Sequence, residues 1–403
     1  MSGARTSATR AWSPWRAVVG FGVISLSADM VYEGARSVYG PLLASLGASA
    51  LAVGAITGAG EAAALIFRVV FGPLADRTRR YWTLTIAGYA LTAVCVPLLA
   101  VAPRLGGTGL AVATVLILAE RLGKAVRSPA KSALLADAAA QVGMGRGLGV
   151  HKALDQIGAF AGPLLVAGLV AWSGSLSPGL LALAVPGVVA MVLLVITRRR
   201  LPEPDQAPAP VAPQSSARRV PLPPRFLRFA VGTTLCTAGL VTFGLISFSL
   251  VQRHLVPTAG APLLYAAAMA AEALAALATG EIYHRSGPRI LLGLPLLVAA
   301  VPALAFGSSL GLAVVGVLLW GVATGVQDST VKALVADLVV RERRATAYGV
   351  FAALQGAGAL VGGIAAGALY SHSVTALAIA VVATSLVALL VLLPVLRRPP
   401  VSA

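Results

Sequence analysis

The chain has 403 residues, of which 58% are hydrophobic and only 11% are charged. About a quarter of the residues in a typical soluble domain are charged, so this composition excludes an ordinary soluble protein and predicts an integral membrane protein. The net charge of +17 would favour nucleic-acid binding in a soluble protein. Here the arginines stand between apolar runs, where positive loops mark the cytoplasmic side of a membrane, and we expect no nucleic-acid partner.

Twelve apolar runs follow one another along the chain, and each approaches the ~20 residues that an α-helix needs to cross the hydrocarbon core of a bilayer. Backbone groups in lipid must be hydrogen-bonded within the protein, which predicts an all-α integral membrane fold. The predicted transmembrane helices are 17–43, 50–73, 81–103, 109–135, 150–172, 178–197, 227–251, 262–280, 289–308, 311–335, 347–370 and 374–396.

The basic residues between these runs are distributed unevenly. With both termini in the cytoplasm, the arginine-rich loops at 77–80 and 198–200 fall on the cytoplasmic side, and few basic residues, such as Arg104, fall opposite. The positive-inside rule therefore predicts a multi-pass protein of a bacterial inner membrane, with cytoplasmic tails at 1–16 and 397–403.

The residues 198–226 are rich in proline, alanine and arginine, and they predict a cytoplasmic linker between an N-terminal six-helix bundle, 17–197, and a C-terminal one, 227–396. The sequence from Ser132 onward aligns without gaps at an offset of 200 with the sequence from Lys332 onward. Shared aspartate and glycine positions in this alignment predict two pseudo-symmetric bundles.

The stretch GPLADRTRR interrupts the apolar runs between the second and third predicted helices. Together with the twelve helices and the central linker, its residues Gly72, Asp76, Arg77 and Arg80 resemble the signature loop of the major facilitator superfamily of secondary transporters, 12-helix type. The resemblance implies transport by alternating access around a central site. We expect Gly72 to allow close helix packing and Arg77 to pair with Asp137 when the cytoplasmic side is closed.

The fifth predicted helix contains the run DQIGAFAGPLLVAG. Its residues Gly158, Gly162 and Pro163 resemble a glycine-rich run of bacterial drug and small-molecule efflux proteins in this superfamily, although Val166 and Ala167 replace glycines that are usual after it. Small residues and a helix-interior proline allow close crossing and bending, and we expect a pivot between the two halves here.

Charged residues inside the predicted helices each cost at least about 2.5 to 3.5 kcal/mol on insertion scales, so each is a candidate functional residue. They are concentrated in the first half. A central charge network, in which a carboxylate could carry a coupled proton, is predicted from Asp29, Glu33, Arg36, Glu61, Glu120 and Lys124. Further residues of the substrate cavity or its gate are predicted to be Arg68, Arg121, Arg127, Lys131, Asp155, Gln327, Asp328 and Lys332.

Two consequences follow for the central charges. We expect the carboxylate of Glu120, or one on the first helix, to balance Lys124, so that Lys124→Gln destabilises the protein and an added Glu120→Gln partly restores it. In the second half, Thr324 stands at the repeat position of Lys124. We therefore expect the first half to couple the ion and the second to supply a wall of hydroxyl groups, including Thr233 and Thr237.

The leading functional hypothesis is proton-coupled efflux, by antiport, of a drug-like or metabolite substrate. The alternative is an uptake carrier or exchanger for a small organic or phosphorylated anion, because arginine and lysine side chains suit carboxylate and phosphate groups. No metal-spaced cluster is found among four histidines and two cysteines, so we expect no enzyme activity, no cofactor and no metal. The expected partners are a small-molecule substrate, protons and the lipid bilayer, with the chain acting as a monomer.

Overall fold

The computed structural model describes residues 12–201, 221–340 and 343–397. Within these ranges the regular elements are all helical. Ten helical stretches are long and apolar enough to cross a membrane. Two of them, Tyr81–Val142 with 62 residues and Gly260–Ala305 with 46, are too long for one crossing. Each contains a bend, at Gly106 and Gly287 with φ of 54° and 71°, and dividing them there gives the twelve predicted crossings.

The first bundle consists of nine α-helices and one 3₁₀ segment, Leu99–Thr108, within the described residues. The helices are α1 (Pro14–Arg36), α2 (Tyr39–Ser45), α3 (Ala50–Ile66), α4 (Arg68–Thr78), α5 (Tyr81–Leu98), α6 (Gly109–Val142), α7 (Met144–Ser173), α8 (Leu176–Ala182) and α9 (Ala184–Arg200).

The second bundle contains eight α-helices, a 3₁₀ segment, Gly287–Leu292, and a π-helical segment, Gln327–Val331, in the part that the structure describes. The helices are α10 (Pro224–Gly239), α11 (Phe243–Gln252), α12 (Gly260–Ser286), α13 (Gly293–Ala305), α14 (Leu310–Val326), α15 (Lys332–Asp337), α16 (Arg344–His372) and α17 (Val374–Leu396).

Several predicted helices are interrupted, which the apolar pattern alone does not reveal. The span 17–43 is α1 followed by α2, 50–73 lies on α3 and α4 with a bend at Phe67, and 227–251 is α10 followed by α11. After α10 the backbone becomes extended at Leu240, and the carbonyl of Val241 accepts a hydrogen bond of 2.8 Å from the Trp320 indole. This contact from α14 satisfies a carbonyl group that the break removes from the helix.

The helix ends differ by a few residues from the predicted boundaries. Helix α1 already begins at Pro14, α9 continues to Arg200, and α10 begins at Pro224. Proline is favoured in the first turn of a helix because its missing N–H needs no partner there. The predicted tails and linker are shorter by these residues, and their remaining parts, 1–11, 202–220 and 398–403, lie outside the described residues.

We call the face at which α9 ends and α10 begins the linker side, and the opposite face the far side. The two bundles meet toward the far side, where α3 packs along α16 and α2 packs on α11. A Cβ atom on Gly54 or Gly58 would overlap the backbone of α16 at Gly363 or Ala359. Only glycine allows helix backbones to approach this closely, and the contact closes the far side.

The outer surface of both bundles is apolar. Large hydrophobic side chains such as Trp172, Leu277 and Leu390 are mostly exposed. A soluble monomer rarely exposes such a continuous apolar surface, whereas lipid chains cover it in a membrane. The fold therefore positions its polar groups inside, between the two bundles.

Candidate functional site

A cavity of about 900 Å³ lies between the two bundles. Its walls come from α1, α3, α4 and α6 of the first bundle and from α10, α12, α14 and α16 of the second. It reaches the exposed residues Asp76, Lys332 and Tyr348 on the linker side. Toward the far side, the hydroxyl groups of Thr57 and Thr242 are 2.8 Å apart across the two bundles. The cavity is therefore accessible from the linker side alone in this conformation.

The closed end of the cavity holds a network of ion pairs from the first bundle. Arg36 of α1 contacts Glu61 at 2.6 Å and Glu33 at 3.6 Å. Arg121 of α6 contacts Glu61 at 3.3 Å and Glu120 at 3.5 Å. Buried charges are tolerated when they are paired in this way. The structure thus brings together four of the six residues predicted for the central network and adds Arg121.

Tyr32 stands at the centre of this network, and the sequence did not single it out. Its hydroxyl accepts a hydrogen bond of 2.5 Å from Arg121 and one of 3.4 Å from Arg36. The Nζ atom of Lys124 lies 3.8 Å from the centre of its ring. An ammonium group at this distance from an aromatic face is attracted by the ring quadrupole.

The predicted pairing of Lys124 with Glu120 is wrong. Glu120 is fully buried and turns toward the Arg121 guanidinium and the hydroxyl of Tyr39, which is 3.4 Å away. Within the described residues, no carboxylate lies within the 4 Å ion-pair distance of Lys124. Although the two residues are one helical turn apart, their side chains diverge, because Glu120 contacts partners on α2 and α6 while Lys124 faces the cavity.

Three further predicted residues lie inside the first bundle and do not line the cavity. Arg127 donates a hydrogen bond of 2.5 Å to Thr92, and Lys131 donates one of 2.9 Å to Ser25. Asp155 pairs with the neighbouring Lys152 at 2.9 Å. The first two contacts join α6 to α5 and α1. None of the three residues lines the cavity in this conformation, and a role in the gate stays a prediction.

Asp29 also lies away from the central network. Its carboxyl group lies beside that of Asp155, with Lys124 and Lys131 close enough to interact electrostatically. It is one helical turn nearer the linker side than Glu33. The prediction that Asp29 belongs to the central ion pairs is therefore not met in this conformation.

The second bundle contributes a polar wall to the cavity. Gln355 donates a hydrogen bond of 3.0 Å to Thr233 and contacts Thr237, whose hydroxyl also donates to Gln327 at 3.2 Å. Thr233 and Thr237 line the cavity as predicted. Gln355 was missed because an amide inside a glycine-rich helix carries no charge signal.

The second bundle also carries charges on its cavity wall, whereas the sequence led us to expect mainly hydroxyl groups there. Glu272 of α12 lines the cavity and forms no ion pair or hydrogen bond with the described residues, while Asp328 pairs with Lys332 at 3.0 Å. Glu272 was detectable from the sequence, because it is an isolated acid within an apolar helix.

The signature loop stands open at the mouth of the cavity. Asp76 accepts a hydrogen bond of 3.2 Å from Tyr81, and no ion pair joins Arg77 to Asp137 in the described part of the chain. Gly72 has open space beside it, so the expected close packing at this glycine is absent here. Arg77 and Arg80 are exposed. These contacts describe the state in which the linker side is open.

The two glycines of the fifth crossing pack within the first bundle, although their helix α7 also packs against α12 of the second bundle. Cβ atoms on Gly158 and Gly162 would overlap the backbone of α1 at Leu26 and Met30. Both contacts lie within the first bundle, whose helices α1 and α7 cross closely there. In this conformation these glycines make no close backbone contact with the other half, so the expected pivot stays a prediction, and α3 and α16 form a close backbone crossing of the halves.

The sequence pattern of the Major Facilitator Superfamily matches residues 21–271 and 245–403. The chain belongs to this superfamily. It is 49% identical over 403 residues to the uncharacterized protein Rv2265 of Mycobacterium tuberculosis strain H37Rv, an alignment that covers 99% of this chain and 97% of that protein.

Solved structures of the superfamily share the fold. A mutant of the nucleoside transporter NupG superimposes with a TM-score of 0.74 at 14% identity, covering 94% of this chain and all of that one. The peptide transporter POT in complex with sulfate gives a TM-score of 0.71 at 13% identity and covers 95% of each chain. The superfamily assignment makes this chain a multi-pass membrane transporter with a small-molecule substrate and not an enzyme. At such low identity these structures show the fold alone.

Proposed function

We propose that the chain is a proton-coupled secondary transporter that alternates between cavities open to the two sides of a bacterial inner membrane. The arginine-rich loops of the linker side support a cytoplasmic position for that side and for both termini. The structure then corresponds to the inward-facing state. A single chain encloses the whole cavity, which supports function as a monomer.

The observation that carries the proposal is a hydrogen bond between the bundles. The Tyr265 hydroxyl of α12 donates to the Glu33 carboxylate of α1 at 2.5 Å, and both residues are buried at the closed end of the cavity. Opening the far side must separate α1 from α12 and break this bond. Any change that weakens it shifts the conformational equilibrium toward the open far side.

Protonation of Glu33 is such a change. The ionised carboxylate is a strong acceptor for Tyr265 and is attracted to Arg36, 3.6 Å away. A neutral carboxyl group loses the charge-assisted part of both contacts. Proton binding at Glu33 therefore favours opening of the far side, and proton release favours closing it. This difference couples a proton to the conformational cycle.

The other carboxylates of the network are less suited to this role. Glu61 contacts two arginines, and Glu120 contacts Arg121 and Tyr39, all within the first bundle. Protonating either of them changes the inside of one bundle and leaves the Glu33 contact between the bundles in place. Asp29 likewise contacts its own bundle, through Asp155.

Export remains the first hypothesis for the direction of transport, and it rests on the resemblance of the run containing Gly158, Gly162 and Pro163 to efflux proteins. The second candidate is uptake or exchange of an anion, which is favoured by Arg68 and Lys124, two cations on the cavity wall that form no ion pair with any described residue. Transport measured in proteoliposomes with a proton gradient of chosen sign separates the two. Movement of substrate in the direction opposite to that of the protons supports export.

The coupling proposal is tested with Glu33→Gln, which removes the titratable proton and preserves the size of the side chain. A transported compound is first identified by its stabilisation of the purified protein against heating. We expect Glu33→Gln to exchange this compound across the membrane but to lose accumulation or expulsion driven by the proton gradient.

The matched control is Asp29→Asn, which neutralises another carboxylate on the same helix and should keep gradient-driven transport. Normal gradient-driven transport by Glu33→Gln would refute the assignment. Loss of coupling in Asp29→Asn with coupling retained in Glu33→Gln would move the proton site to Asp29 and Asp155.

A further inference from the structure

The cavity wall contains several hydrogen-bond donors that the protein itself does not use. The Nε atom of Arg68 and the side-chain amide nitrogen of Gln327 are buried without a hydrogen-bond partner among the described residues. Both residues line the cavity. A buried donor without an acceptor costs about 1 to 3 kcal/mol, so such groups in a native structure require an explanation.

Lys124 adds a charged group to the same wall. Its ammonium contacts the ring of Tyr32 and, in the described residues, no carboxylate within ion-pair distance. Lys124 and Arg68 come from different helices, α6 and α4, yet both interact electrostatically with Asp328 across the cavity. The acid does not neutralise them directly, because it is paired with Lys332 at 3.0 Å.

The wall of the second bundle carries aromatic rings as well as hydroxyl groups and the carboxylates of Glu272 and Asp328. Trp320 and Phe351 of the second bundle line the cavity beside the hydroxyl groups of Thr233 and Thr237. Such a surface accommodates a flat or apolar organic group, while a few convergent polar groups fix the orientation of the ligand. The two cations thus lie on the wall of the first bundle, and Gln327 lies with Trp320 and Phe351 on the wall of the second.

We propose that the cavity binds small organic anions, with a carboxylate or phosphate group held by Lys124, Arg68 and the amide of Gln327, and with the organic part against Trp320 and Phe351. Arginine and lysine are the side chains that recognise these acidic groups, and the amide supplies one further donor. The inference rests on the proposal that the cavity is the substrate site of a transporter. It concerns binding and does not depend on which residue carries the proton.

Binding is tested by the thermal unfolding temperature of the purified full-length protein at constant ionic strength. The probes are benzoate, phenyl phosphate, the neutral benzamide and the cationic benzylamine, which share an aromatic ring and differ in charge. We expect the two anions to raise the unfolding temperature and the other two probes to leave it unchanged. Comparison of benzoate with phenyl phosphate shows which acidic group the site prefers.

Three variants locate the site. Lys124→Gln and Arg68→Gln should each weaken the apparent affinity for the preferred anion by about tenfold or more, the value expected for losing one charged hydrogen bond. Gln327→Glu places a like charge at the same wall while preserving side-chain size and the acceptor for Thr237, and it should abolish anion binding. The matched control is Arg104→Gln, which removes an exposed cation outside the cavity.

Stabilisation by benzylamine instead of the anions would overturn the proposal, as would anion binding that survives in all three variants. Absence of any anion effect in the folded protein would also overturn it and would assign Arg68 and Lys124 to pairing with Asp328 when the linker side closes. These outcomes are independent of proton coupling, because a failed Glu33→Gln test leaves the binding result unchanged.

Discussion

Arg121 and Lys124, which lie on neighbouring turns of α6, have different electrostatic surroundings. Arg121 is buried and contacts two carboxylates and a tyrosine hydroxyl. Lys124 contacts an aromatic ring and the cavity. Removing one member of a buried ion pair leaves a charge without compensation, whereas removing a cation that faces water does not. The first residue therefore stabilises the fold, and the second remains available to a ligand.

We predict that Arg121→Gln lowers the free energy of unfolding by about 3 to 5 kcal/mol, because Glu120 and Glu61 lose a buried partner. Lys124→Gln should cost only about 0.5 to 2 kcal/mol, the range for a lost cation–π contact. The thermal unfolding temperatures of the two variants in detergent provide the measurement.

The double variant Arg121→Gln with Glu120→Gln should recover part of the loss, since it removes the stranded carboxylate together with its partner. A Lys124→Gln protein that is less stable than Arg121→Gln would contradict this division of roles.

The helical spacing of the charges was sufficient to predict that Glu33 and Arg36 of α1 meet, but it wrongly added Asp29 to them. Glu33 and Arg36 are three residues apart and so lie on one face, and their contact follows from that spacing. The partner of Lys124 was not predictable in the same way. It depends on where the ring of Tyr32 and the carboxylate of Glu120 turn, and these orientations are set by other helices.

At the scale of the elements, the main contact between the bundles is a seam of glycines. Gly54 and Gly58 of α3 face Gly363 and Gly367 of α16, with backbone against backbone. Because no side chains separate the two helices there, even one added methyl group must push them apart. The seam therefore holds the far side closed and is sensitive to very small substitutions.

We predict that Gly363→Ala shifts the protein away from the state in which the far side is closed. The shift can be measured by disulfide cross-linking of Thr57→Cys with Thr242→Cys, since the two hydroxyl oxygens are 2.8 Å apart in this state. The cross-link should form readily in the parent protein and much less in Gly363→Ala.

Gly349→Ala is the matched control on the same helix, because a Cβ atom there meets nothing within 4 Å. It should leave the cross-linking yield unchanged. Equal yields in the two glycine variants would show that the seam does not determine closure of the far side.

The apolar runs were sufficient to predict twelve crossings, but not the breaks within them. The break after α10 occurs without a proline, and it depends on the Trp320 indole, which lies 79 residues further along the chain. Thr242 then begins α11 by accepting a hydrogen bond from the backbone of Leu245. Such long-range capping is invisible to a pattern that reads hydrophobicity over a short window.

At the scale of the whole molecule, Asp76 of the signature loop has no hydrogen-bond partner in the other bundle among the described residues while the linker side is open. Asp76 contacts only Tyr81 of its own bundle among the described hydrogen-bond partners. A role in closing the linker side must therefore be realised in the opposite conformation. Asp76 should influence the transport cycle more than the stability of the present state.

We predict that Asp76→Asn inserts into the membrane and unfolds at nearly the same temperature as the parent protein, but transports about tenfold more slowly or less. Loss of one charge-assisted contact in the closed state, about 1.5 to 3 kcal/mol, produces a change of this size. Uptake or export in proteoliposomes, normalised to inserted protein, is the measurement.

Glu281→Gln serves as the control for Asp76→Asn, because it neutralises an exposed acid in the second bundle that pairs with Arg285 at 2.7 Å. It should transport at the parent rate. Full transport by a folded Asp76→Asn protein would exclude a part for this loop in the cycle.

The glycine seam has a consequence for how fast and how selectively the molecule can switch. The two backbones touch without interlocked side chains, so the helices can separate there without repacking side chains. Besides the seam, a few polar contacts hold the far side closed, among them Thr57 with Thr242 and Glu33 with Tyr265. With so few contacts on that side, the making or breaking of one of them by a proton or a bound solute is enough to change the balance between the conformations.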